Sequence, residues 1–77
     1  MADTQNMSES MIKTLRAVAD NGGIVGIWLN ATRAIGARMG SCDALFTRGL
    51  LEKGRTDGRS YFLVTGDGYR WLEQHNG

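Results

Sequence analysis

The sequence predicts an α+β fold, and three observations carry that prediction. Apolar residues at Met11, Ile12, Leu15, Val18 and Ala19 recur with the period of one helix face. Two apolar runs, Leu50-Leu51 and Tyr61-Phe62-Leu63-Val64, flank a polar segment that contains Asp57-Gly58, a strong hairpin cue. A further short amphipathic segment follows the second run. With 77 residues the chain is one domain, of a size that buries only roughly 60% of its unfolded surface, so each large apolar residue is read as structural until argued otherwise.

The elements follow in order. Residues 1–7 are polar and are expected to fray, and the domain is expected to span 8–75. Asn6 or Ser8 can cap the first helix, Glu9 suits its first turn, and Asn21-Gly22 offers a left-handed stop. Ile24-Val25-Gly26-Ile27-Trp28-Leu29 is too short and glycine-rich for a helix and reads as a brief extended segment. Asn30 is a capping residue for a second helix through Ala31, Ala34, Ile35 and Arg38 to Met39, weakened by Gly36. Gly40-Ser41 offers a turn and a new cap for a third helix, with Cys42, Leu45, Phe46 and Gly49 facing inward. Leu51 to Lys53 and Ser60 to Val64 read as strands, with Gly54 to Arg59 as the loop between them. Thr65 can cap a final helix, Asp67 complementing its dipole.

Composition narrows the function. A hydrophobic fraction of 42% and a charged fraction of 22% belong to an ordinary soluble globule. No apolar run reaches the roughly 18 residues of a membrane span, and MADTQNMSES lacks a signal peptide's apolar stretch, so the expected compartment is the cytoplasm. Cys42 is the single cysteine and His75 the single histidine, which gives no disulfide framework and no zinc site within one chain. His75 lies near the C-terminus and Cys42 on an apolar stripe, so no nucleophile and base come together and no catalysis is expected. Gly22, Gly23 and Gly26 lack phosphate-loop spacing, and no cofactor is expected. The net charge is only +1, yet it is unevenly spread. Residues 31–60 carry Arg33, Arg38, Arg48, Lys53, Arg55 and Arg59 against Asp43, Glu52 and Asp57, a net +3, while residues 1–30 and 61–77 each carry −1.

The order helix, strand, helix, helix, strand, basic loop, strand, helix, together with ALFTRGLLEKGRTDGRSYFLVTGDGYRWL, resembles the winged helix-turn-helix family of DNA-binding domains, in small bacterial or phage regulators of the MarR and PadR type. The likeness is specific over residues 44–72. Thr65 and Gly68 hold their places in the Leu-Thr-x-x-Gly pattern that follows the wing, with Val64 where leucine is usual. The resemblance implies a three-helix core, a small antiparallel hairpin wing, a C-terminal helix, a homodimer, and duplex DNA as the partner. It implies that helix 41–48 reads the major groove through Ser41, Thr47 and Arg48, and that Lys53, Arg55, Thr56 and Arg59 on the hairpin neutralise phosphates or enter a minor groove. Gly54 and Gly58 would then allow close backbone approach. Arg33 and Arg38 would contact backbone from the second helix.

Each of these residues also has a plain structural account. Arg33 and Arg38 suit a solvated helix face, Asp43 suits a helix N-terminus, and Arg55 and Arg59 suit an ordinary surface hairpin paired with Asp57. The helix 41–48 surface is poor in long donors. A second reading therefore stands beside the first: a winged-helix module that binds another protein and not DNA, as an accessory or inhibitory subunit. Trp71, about 100° from Leu72 on the last helix, is expected to stay partly exposed and cover a partner subunit.

Overall fold

A computed structural model describes residues 7–27 and 30–75. Among these, the chain forms four helices and a three-stranded antiparallel sheet: α1 (Glu9–Asp20), β1 (Ile24–Gly26), α2 (Ala31–Ala34), α3 (Met39–Thr47), β2 (Leu51–Thr56), β3 (Arg59–Val64) and α4 (Gly66–Gln74). The mixed α+β class expected from the pattern is present. Asn6 as a cap, the frayed first residues, Trp28 and Leu29 lie outside the described residues. No described helix is long and apolar enough to cross a membrane.

Helix α1 begins where Ser8 accepts the N–H of Met11 at 3.1 Å and stops at Asn21. Its buried face is Met11, Thr14, Leu15 and Val18, with Ile12 and Ala19 on the flanks. The sheet order is β1-β3-β2, so the short strand after α1 pairs with the strand after the hairpin: Ile24 with Leu63, Val25 with Phe62, Gly26 with Tyr61. The core gathers α1's stripe, Val25, Cys42 and Leu45 of α3, Leu50, Leu51, Phe62, Val64 and Trp71. Phe62, Leu15, Leu45 and Cys42 are fully enclosed, as close packing of a small core demands.

Several local expectations are corrected. Asn30 sits in the left-handed region at φ 71 and its side chain makes no capping bond. Helix α2 is only four residues long, because Gly36 takes φ 80 and turns the chain. Arg38 is consequently not on the second helix. It is the extended residue before α3, where its N–H donates to the Thr14 hydroxyl. Gly40 and Ser41 form no turn or cap; they are helical residues within the first turn of α3. The hairpin is longer than the sequence suggests. Pairing of Gly54 with Tyr61, Arg55 with Ser60 and Thr56 with Arg59 leaves a two-residue loop, Asp57-Gly58, and the positive φ of both residues (53 and 78) is that of a type I′ turn. Backbone ladder bonds, not apolar side chains, extend the strands through this polar stretch.

Thr65 caps α4 as expected, accepting the N–H of Gly68 at 3.0 Å, and its hydroxyl also donates to the Gly49 carbonyl at 2.8 Å. Trp71 is buried, contrary to the expectation of a partly exposed ring. Helix α4 turns Gly68 and Trp71, one turn apart, toward α1 and β3, and the indole stacks on His75 at 4.0 Å. Tyr69 is the exposed ring of this helix.

Candidate nucleic-acid interface

Successive strand side chains alternate between faces, and directly paired residues share one. Leu51, Lys53 and Arg55 of β2 therefore lie on the face of Phe62 and the core, whereas Glu52, Gly54 and Thr56 lie on the opposite face with Leu63, Tyr61 and Arg59. Arg55 and Arg59, both exposed, point to opposite sides of the ribbon. Only the first side meets α3. There the Lys53 Nζ stands 4.7 Å from the centroid of the Phe46 ring and 5.6 Å from that of Phe62, a cation–π arrangement. Arg55 continues this line toward the hairpin tip.

At the other end of α3 the exposed Arg33 and Arg38 line one shallow hollow of about 530 Å³, together with Ile27, Asn30, Thr32, Ala37 and Met39. Between the two groups the solvent side of α3 shows Gly40, Asp43, Phe46 and Thr47. Cations thus flank α3 at both ends, while the helix itself shows a carboxylate at its middle and an aromatic ring in its last turn.

The remaining sequence-predicted residues divide. Thr47 is exposed, but its hydroxyl donates to the Asp43 carbonyl at 3.0 Å. Ser41 turns toward α1 and shares a hydrogen bond of 2.7 Å with the Ser10 hydroxyl, so it is not part of the outward set. Arg48 is half-buried at the C-terminal cap of α3. Thr56 reaches the Tyr61 hydroxyl at 3.3 Å on the far face of the ribbon. Gly54 serves packing rather than approach by a ligand: the Tyr61 ring lies across it, where a Cβ would stand. Gly58 serves the turn.

Phe46 is the residue the sequence reading missed. Its spacing from Cys42 places it on the inward stripe, yet it is 41% exposed. Helix α3 buries Cys42 and Leu45 beneath it, and Phe46, roughly 100° on from Leu45, leaves the core for the edge of β2. There it meets Phe62 at 6.5 Å with a tilt of 57°. The cluster of basic residues just after it was the available signal, since Lys53 holds the ring from above.

Cys42 is fully buried, and burial pushes its thiol up to about 11, with the neighbouring Asp43 carboxylate adding to the effect. Such a thiol is a packing residue rather than a nucleophile. Among the described residues no group of three His, Cys, Asp or Glu side chains is placed to hold a metal ion. In comparisons with family models, curated proteins and solved structures, nothing matches this chain.

Proposed function

We propose that this chain is a small winged-helix DNA-binding protein, a cytoplasmic transcriptional regulator that acts as a homodimer so that two copies of α3 meet two half-sites of a duplex. One observation carries the reading: Lys53 and Arg55 leave the core on the same side of the hairpin as α3, with Lys53 touching the exposed Phe46. The β1-β3-β2 order supports it as well, since the first strand anchors the returning strand of the hairpin and lets the Asp57-Gly58 tip project as a wing. Helix α3 is the element for the major groove. Arg38 and Arg33 at its start, and Lys53 and Arg55 past its end, neutralise phosphates that set its register. Arg59, on the reverse side of the ribbon, meets the opposite wall when the tip enters a minor groove.

Fluorescence anisotropy of labelled duplex DNA across a salt series tests this reading. Affinity must fall steeply as salt rises, because each neutralised phosphate releases counterions. Absence of binding to any duplex at low salt removes the proposal.

A second reading has its own observation. Phe46, exposed in the last turn of α3 on a helix with few long donors, is what a protein-binding winged helix would present. It calls for a stable protein partner whose binding is lost in Phe46→Ala, and for indifference to duplex DNA at every salt concentration.

A further inference from the structure

The outward side of α3 holds one large apolar side chain, Phe46, 41% exposed, while Cys42 and Leu45 are the buried residues beneath the helix. The ring is also held in place, tilted against Phe62 and fixed from the strand side by the Lys53 ammonium. A side chain so positioned loses little rotamer freedom on meeting a partner. Asp43 stands three residues earlier, a neighbour on the same helix surface. The open surface of α3 therefore presents an acceptor-only carboxylate at mid-helix and a phenyl ring in the last turn, beside Lys53.

Each of these groups matches one feature of the major groove. The apolar feature of a base pair there is the thymine C5-methyl, and the donors are the cytosine N4 and adenine N6 amines; adenine sets its N7 acceptor beside its amine and guanine offers only acceptors, both of which repel a carboxylate, so cytosine is the better match. Building on the duplex-binding reading above, we infer that Phe46 is a specificity-determining residue that packs on a thymine methyl. Asp43 accepts from a cytosine amine beside it, and Lys53 holds the adjacent phosphate. Recognition by α3 is then centred on pyrimidines instead of on the guanine contacts that arginine-bearing reading helices make.

The test begins with selection of bound duplexes from a random-sequence library, followed by replacement of each thymine by uracil, which removes only the methyl. The native protein should bind about fourfold more weakly when one particular thymine of a half-site is replaced, the effect of one buried methyl. Phe46→Ala, checked for folding by circular dichroism, should bind thymine and uracil duplexes equally, and Phe46→Leu should keep part of the preference. Equal affinity after uracil replacement at every position, with salt-sensitive binding intact, overturns the role of Phe46 and leaves DNA binding standing. Unchanged discrimination in Phe46→Ala overturns it too. If the library yields no bound duplex at low salt, both this inference and the DNA-binding reading fall.

Discussion

The hydroxyl of Thr14, enclosed in the middle of α1, accepts the backbone N–H of Arg38 at 3.2 Å and so ties the start of α3 to the first helix. An N–H at a helix start has no intrahelical acceptor, and this one is supplied from another element. Thr14→Val keeps the shape and removes the acceptor. The expected cost is about 0.5–1.5 kcal/mol, the net contribution of one hydrogen bond at a part-buried position. Thr14→Ser should recover most of it. Urea denaturation of the three proteins measures the difference, and equal midpoints for valine and threonine would show that the bond contributes nothing.

Cys42 makes stability depend on pH at the alkaline end. Burial, then Asp43, raises its thiol up to about 11 in the folded chain. The fold therefore favours the neutral thiol. That contribution is complete below the ordinary thiol value and is lost as pH rises through the folded value near 11. Stability should accordingly decline from about pH 8.5 upward in native protein and decline less in Cys42→Ala. At about pH 8 a thiol reagent should label Cys42 only as fast as the protein opens. Rapid labelling of folded protein would contradict the enclosed position.

How much of this could be read in the chain depends on which force shaped each part. Helix α1 was legible because Met11, Leu15 and Val18 are held by apolar burial, which leaves a periodic trace in sequence. The Asp57-Gly58 turn was legible because few residues accept two successive positive φ angles. The strand that runs through Gly54, Arg55 and Thr56 was not, since its ladder is made by backbone groups that every residue carries. Asn30 and Ser41 look like caps, yet one takes a left-handed turn and the other bonds α1, because the same short polar side chains suit several local uses. At the candidate interface, the positive charge of residues 31–60 was legible in the sequence, and its placement on the second helix and the hairpin came from the resemblance. The exposure of Phe46 and the burial of Trp71 follow from how α3 and α4 rotate on the core, which a short helix with only two buried residues leaves open.

Two glycines in helices should respond oppositely to alanine. Gly40, in the first turn of α3, has open space where a Cβ would stand, so Gly40→Ala should stabilise by about 0.5–1 kcal/mol through helix propensity. Gly68 is buried at the start of α4, where a Cβ would meet the Leu50 carbonyl oxygen and the Val64 side chain. Backbone cannot swing away as a side chain tip can. Gly68→Ala should therefore destabilise by about 1–3 kcal/mol despite the better propensity. Thermal melts of both variants check the signs, and a stabilised Gly68→Ala would mean that α4 does not pack this closely on Leu50.

At the β2–β3 hairpin shape and charge are separable, and two substitutions can tell them apart. Gly58 at φ 78 is the second residue of the type I′ turn, and alanine there should cost about 1–2 kcal/mol in the left-handed region. The hairpin would loosen at its tip while Lys53 and Arg55 remain. Arg55→Ala leaves the ladder intact, since its pairing with Ser60 is made by backbone, and removes one cation from the side shared with α3. If that cation neutralises a phosphate, the slope of log affinity against log salt should fall by about 0.9, with no change in melting temperature beyond about half a kcal/mol in stability. Gly58→Ala should instead lower affinity and stability together and leave the slope nearly unchanged. Lys53→Ala should do both, because its ammonium also holds the Phe46 ring. A salt slope that Arg55→Ala does not alter would remove the physical basis for the proposal that this hairpin neutralises phosphate.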